Sequence, residues 1–268
     1  MTFNRIAIYG HRDDPDSLAS ALQDIDVVLS FAARDVVPKQ HNIIKAIPRT
    51  NVKLFVPSDF GFRVDEQGLR VPANKAKREV EEAARAAGVP IAVVYVGSFT
   101  ESSLAFPILG VDVSGNRIIY TGDSANQQLS FCTRNYVAAA YASIFAQTSP
   151  DELQGRAIGP SEFKATGRDI AAVLQEKHGV EPQKFYHSIE KVDSQLEDDF
   201  INGRPTALSR HCRKAWGTGE LVKGLGKDIW EVPGYKKATL RELLLEGKLE
   251  PYKELPPQVT QLFYFAFQ

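Results

Sequence analysis

Apolar and polar positions fall along the chain in blocks that switch between two periods. Arg5-Ile-Ala-Ile-Tyr9, Asp26–Phe31, Val52–Val56 and Ile91–Val96 are short apolar runs, each followed by turn or small residues, which predicts buried strands. Between them the spacing turns helical. Leu18, Ala21, Leu22 and Ile25 follow a cap at Asp16 or Ser17, and Ile43, Ile44 and Ile47 share one side of a helix over 38–46. Pro72 opens a long helix over 73–87 that stops at Gly88-Val-Pro90. Strands alternating with helices at this interval predict βαβ units, hence an α/β fold around a parallel sheet with right-handed crossovers.

After Gly97 the rhythm loosens. Residues 116–122 predict a small strand, 136–147 an alanine-rich helix, and Thr166 caps a helix ending near His178-Gly179. The expected organisation is a Rossmann-type domain over 1–147 followed by a smaller substrate lobe and C-terminal elements over 148–268. The acidic run from Asp193 to Asp199 reads as a solvated helix face, since nothing nearby completes a metal ligand set. Leu262-Phe-Tyr-Phe-Ala-Phe267 would be an aggregation-prone edge if exposed, so it must dock within the chain, cover the substrate lobe or meet a partner chain; the first is the plainest reading.

Composition narrows the classes. The 268 residues carry 32 basic and 33 acidic side chains, a balance that leaves no electrostatic footprint for nucleic acid or an anionic membrane. Cys132 and Cys212 lie far apart without metal-ligand spacing, and no apolar run is long enough to span a bilayer, so a cytoplasmic protein is expected.

Several chemistries have no residues to carry them. No Tyr has a Lys four positions later, and there is no G-x-S-x-G, H-E-x-x-H or Walker loop. What remains is Pro57-Ser-Asp-Phe-Gly61 at the end of the Val52 strand, where open α/β sheets bind ligands. Lys77 follows on the next helix. The bland reading of that helix is a ladder of exposed pairs, Lys75 with Glu79, Lys77 with Glu81 and Arg78 with Glu82. The functional reading aims a lysine over the crevice, where partial desolvation lets it exchange a proton.

Val52-Lys-Leu-Phe-Val-Pro-Ser-Asp-Phe-Gly61 resembles the motif of the NmrA-like and isoflavone reductase-like proteins, atypical relatives of the short-chain dehydrogenases. Gln40–Ala46 before it, and Lys77-Arg-Glu-Val-Glu81, Gly88-Val-Pro90 and Gly97-Ser-Phe99 after it, follow in the family's order, so the resemblance spans residues 5 to about 105. It implies an NAD(P)H-dependent reductase of a small aromatic or unsaturated substrate, using NADP(H) or NAD(H), with Lys77 as catalytic lysine and Lys75 as the register alternative. It further implies that Ser30, Phe31, Ala32 and Ala33, then Pro57, Ser58, Asp59 and Phe60, then Gly97, Ser98 and Phe99 border nicotinamide and ribose. Gly97–Phe99 also reads simply as a turn. Other members of the family bind dinucleotide without turnover, so a non-catalytic regulatory or vestigial role is the alternative.

The departures from the family are at the amino end. Its opening strand, glycine-rich loop and helix, which seat a pyrophosphate, have no counterpart here, so the chain begins at the family's third strand. In the order 3-2-1-4-5-6 that would leave a gap beside the Asp26 strand. Either the Arg5 strand moves inward, or another segment fills the gap, or the chain is a truncated product. If it moves inward, His11-Arg-Asp-Asp-Pro15 faces the pyrophosphate, and Asp13 and Asp14 predict weak or absent dinucleotide binding.

Overall fold

A computed structural model describes residues 6–9 and 14–267. Four strands follow one another across the first part of the sheet: β1 (Ile6–Tyr9), β2 (Val27–Ser30), β3 (Leu54–Val56) and β4 (Val93–Val94). β1 pairs directly with β2 in parallel, Ile6 opposite Val27, and β2 pairs with β3, Val28 opposite Phe55. Ile91 bridges Phe55 in parallel just ahead of β4. The inward position of the amino-terminal strand is therefore the one adopted, because a buried ladder edge must find hydrogen-bond partners. Among the described residues, β1, β2 and β3 are successive parallel neighbours.

Helices Pro15–Ala21, Gln40–Ala46 and Pro72–Ala86 join these strands. Right-handed crossovers between successive neighbours put all three on one face. Leu22, Ile43, Ile44, Val80 and Ala84 accordingly pack with Val28, Phe55, Ile91 and Val93. The alternate strand residues Val27, Leu29, Leu54, Val56, Ala92 and Val94 point to the other face, against Tyr136, Val137, Tyr141 and Ile144 of the helix Arg134–Gln147. That helix is capped by Thr133, whose hydroxyl accepts from the Tyr136 N–H.

The remaining strands are β5 (Ser98–Phe99), β6 (Val111–Asp112), β7 (Arg117–Thr121), β8 (Leu129–Cys132), β9 (Ala157–Pro160), β10 (Phe163–Ala165), β11 (Gln183–His187) and β12 (Asp228–Trp230). β9 pairs in parallel with β4 and β12, completing the main sheet. β8 lies between parallel β5 and antiparallel β10, and β7 between antiparallel β6 and parallel β11. Around these, Ile118, Phe131, Ile170, Leu174, Trp216 and Leu244 form a second core.

Two local expectations change, and the plainest reading of the tail holds. The first helix begins two or three residues earlier than expected, capped by the Asp14 carboxylate, which accepts from the Asp16 and Ser17 N–H groups. The acidic run on the helix Ile189–Ile201 is not one solvated face: Asp199 is completely buried and ion-paired with Arg210. The apolar tail docks on its own chain, with Phe267 edge-on to Phe185 at 5.4 Å and the Arg117 guanidinium 4.6 Å from the Phe267 ring centre. Among the described residues, no helix is long and apolar enough to cross a membrane.

Candidate active site

Three loops at the carboxyl ends of the strands are tied together by hydrogen bonds. Pro57 ends β3, after which the Ser58 hydroxyl donates to the Ala32 carbonyl at 2.9 Å and the Ser58 N–H to the buried Gln40 side chain at 2.8 Å. This fastens Pro57–Phe60 to Ser30–Ala33. Gly97, in the left-handed region at φ 78°, donates its N–H to the Gly61 carbonyl at 2.9 Å and brings Ser98 and Phe99 alongside. The Ser98 and Ser103 hydroxyls share a hydrogen bond. Ala33 starts the turn that follows β2, accepting from the Val36 N–H.

The three segments meet in an aromatic cluster. The Phe60 ring lies 5.7 Å from Phe31, 5.9 Å from Phe99 and 5.8 Å from Tyr141. Phe60 itself is left-handed, at φ 56°, which a non-glycine residue adopts at some energetic cost. Phe31 remains 42% exposed, so the cluster forms an open rim, while the Tyr141 hydroxyl beneath it is buried without a hydrogen-bond partner. The Ser30 hydroxyl is buried as well, with no hydrogen-bond partner among the described residues.

Lys77 stands in the second turn of the helix Pro72–Ala86, its ammonium 3.8 Å from Asp59 Oδ1. That same oxygen accepts from the Gly61 N–H at 2.9 Å. Lys75, the register alternative, points to solvent and pairs with Glu79. The expected Lys77–Glu81 rung is replaced. Glu81 is buried, accepts from Arg85 at 3.0 Å and from the Tyr95 hydroxyl at 3.4 Å, and lies 3.9 Å from Arg63. Asp59, Lys77, Arg63, Glu81, Tyr95 and Leu208 are among the residues around a cleft of about 110 Å³.

Burial sets the proton affinities here. It pushes the Asp59 carboxyl above the usual carboxylate range, against the opposing pull of Lys77 and the Gly61 N–H. Burial, helped by the charges of Glu81 and Asp59, pushes the Tyr95 phenol up to about 12, so it stays a hydrogen-bond donor at neutral pH. Burial likewise raises Tyr141. The site can therefore offer a partly buried ammonium beside a carboxylate, with a neutral phenol behind them.

Tyr95, Glu81 and Arg63 were not legible as site residues. Tyr95 is the one polar-tipped member of the apolar run Ile91–Val96, a weak signal, and Glu81 looked like the acid of a surface rung. Above the cleft, residues 61–71 are strapped to the carboxyl-terminal part of the chain. Asp65 meets His211 at 3.1 Å, Lys214 donates to Gln67 at 2.8 Å, and Arg70 pairs with Glu197.

The fit to a dinucleotide differs between the two ends of the crevice. Lys77, Ser58, Gly97 and the aromatic rim suit a flat polar ring with a proton to exchange. At the other end, the N-terminus of the helix after β1 already has the Asp14 carboxylate on its free N–H groups, which disfavours a phosphate at those atoms. The rest of that loop, His11, Arg12 and Asp13, lies outside the described residues.

Comparison with known proteins is consistent across sequence and fold. The NmrA-like family model matches residues 7–207. An isoflavone reductase of Medicago sativa is 28% identical over 241 residues, 87% of this chain and 75% of the relative. The crystal structure of an isoflavone reductase superposes with a TM-score of 0.70 at 23% identity, covering 89% of this chain and 80% of that one. The binary complex of leucoanthocyanidin reductase with NADPH from Vitis vinifera gives a TM-score of 0.69 at 17% identity, covering 90% and 89%.

Proposed function

We propose, from the premise that this chain belongs to the NmrA-like family, that it is an NAD(P)H-dependent reductase of a small aromatic or unsaturated substrate. The observation that carries the reading is Lys77, held 3.8 Å from Asp59 where the three strand-end loops converge. The reductases among its relatives, one of them solved with NADPH, support the cofactor class. Ser30–Ala33, Pro57–Phe60 and Gly97–Phe99 would border the reactive ring, with Lys77 facing the substrate.

A dihydronicotinamide bound beside these loops would supply the hydride for the electron-poor carbon of a polarised double bond. The Lys77 ammonium gives the proton to the atom that gains the electron pair, and the amine then regains a proton from solvent. Asp59 holds the ammonium, the aromatic rim excludes water on one side, and the neutral Tyr95 phenol keeps the Glu81 charge engaged behind it.

Calorimetric titration with NADPH, followed by NADPH consumption with conjugated aromatic substrates, tests the proposal. Saturable binding is expected, with Lys77→Ala lowering turnover about a hundredfold or more while NADPH binding persists. No binding at millimolar NADPH would refute the reductase reading and leave the non-catalytic one. Unchanged turnover in Lys77→Ala would refute the role of the lysine.

A further inference from the structure

We propose that Asp59 is the positioning residue of Lys77, and that the absence of a side chain at Gly61 is what lets the two groups meet. The inference rests on Lys77 as the proton-transfer residue but is separable from it by experiment. Lys77 does not take its helical neighbour Glu81, because that carboxylate is already engaged by Arg85, Tyr95 and Arg63. Its ammonium turns instead to Asp59, across the loop that leaves β3. The Asp59 rotamer is set by the Gly61 N–H on Oδ1, and Gly61 is anchored in turn by the Gly97 N–H on its carbonyl.

The Gly61 position is tight on one side. A Cβ built there would lie 3.0 Å from Asp59 Oδ1, so that carboxylate must shift by a few tenths of an ångström, while Lys77 Nζ at 3.4 Å is in ordinary contact. At 3.8 Å the Lys77–Asp59 contact is an ion pair longer than a hydrogen bond, so the ammonium is held in place yet keeps N–H groups free for a substrate. Other charged and titratable groups face the pair. Arg78 and Glu81 lie on the same helix, Arg63 and Tyr95 on the neighbouring loop and strand, and Tyr141 comes from the opposite face. Glu81 and Arg63 are paired with each other, which leaves Asp59 as the carboxylate available to the lysine.

The test compares wild type with Asp59→Asn, Asp59→Glu and Gly61→Ala. Trace acetylation of the whole protein by acetic anhydride, read by peptide mass spectrometry, gives the reactivity of Lys77 relative to exposed Lys75 and needs no cofactor. Asp59→Asn keeps the acceptor for the Gly61 N–H but removes the charge. It should raise the Lys77-to-Lys75 ratio at least threefold, and Gly61→Ala should do so too. With NADPH and a turned-over substrate, Asp59→Asn should lower kcat at least tenfold, a larger change than in KM for NADPH, and Asp59→Glu should recover part of the loss.

An unchanged labelling ratio in both Asp59→Asn and Gly61→Ala overturns the proposal. Should Asp59→Asn fail to fold, the Gly61→Ala ratio decides alone. A changed ratio together with full turnover in Lys77→Ala supports the positioning while removing Lys77 from the reaction, so the two readings fail separately.

Discussion

Asp199→Ala removes a carboxylate that looks superficial in sequence and is fully buried in the fold. Three groups converge on it: Arg210 in close ion-pair contact, the Thr206 hydroxyl donating at 2.8 Å, and Arg204 at 4.0 Å. Breaking a wholly buried pair costs about 3 to 5 kcal/mol. The Arg210 side chain keeps 21% of its surface exposed and has the Gln195 carbonyl as a second acceptor, so water and that carbonyl relieve part of the loss. An expected cost of about 2 to 4 kcal/mol follows. Glu197→Ala is the matched control two residues away, since its pair with Arg70 is about half exposed and such pairs are worth at most about 1 kcal/mol. Equilibrium urea unfolding of the two variants gives the comparison directly. Equal midpoints would refute the argument that burial, and not charge count, governs this helix.

Stability should also depend on pH through His187, which burial and the nearby Arg213 hold at about 4 in the fold. Between about 6.5 and 4 the unfolded chain takes up a proton that the folded chain refuses, so stability falls as pH falls through that window, by an amount on the order of 3 kcal/mol. His187→Gln, which keeps an acceptor for Arg213, should flatten the pH dependence of the thermal midpoint. Gly217→Ala should destabilise by about 3 kcal/mol or more in urea, because its Cβ would fall 2.0 Å from the Thr121 carbonyl oxygen, a backbone atom that can yield only by moving the end of β7.

The parts of the fold legible in sequence are those where local and tertiary preferences agree. Val52–Val56 and Pro72–Ala86 are apolar or patterned at the period of the element they form, and packing keeps them there. Lys77 could be preferred over Lys75 only by resemblance; the structure separates them by turning one to Asp59 and the other to solvent. What could not be read depends on partners distant in sequence. Asp199 is buried because Arg210 and Thr206 arrive from the next helix, and Glu81 leaves its expected rung because Tyr95 and Arg63 compete for it. The pairing of β1 with β2 is also a tertiary outcome, since an apolar strand carries no mark of which neighbour it will take.

That pairing bears on how the chain reaches its fold. Ile6 meets Val27, Val27 meets Leu54 and Phe55 meets Ile91, so each new strand closes one crossover onto the edge just formed. Val93 must then wait for Ala157, and Ile158 for Asp228, across far longer stretches of chain. Loop closure grows more costly with separation, and non-local pairings form slowly. The amino-terminal strands can thus assemble in the order of synthesis, leaving β4 with an open edge until the distant β9 arrives. It is during that interval, more than in the finished molecule, that the protein is most exposed to association through an unpaired strand.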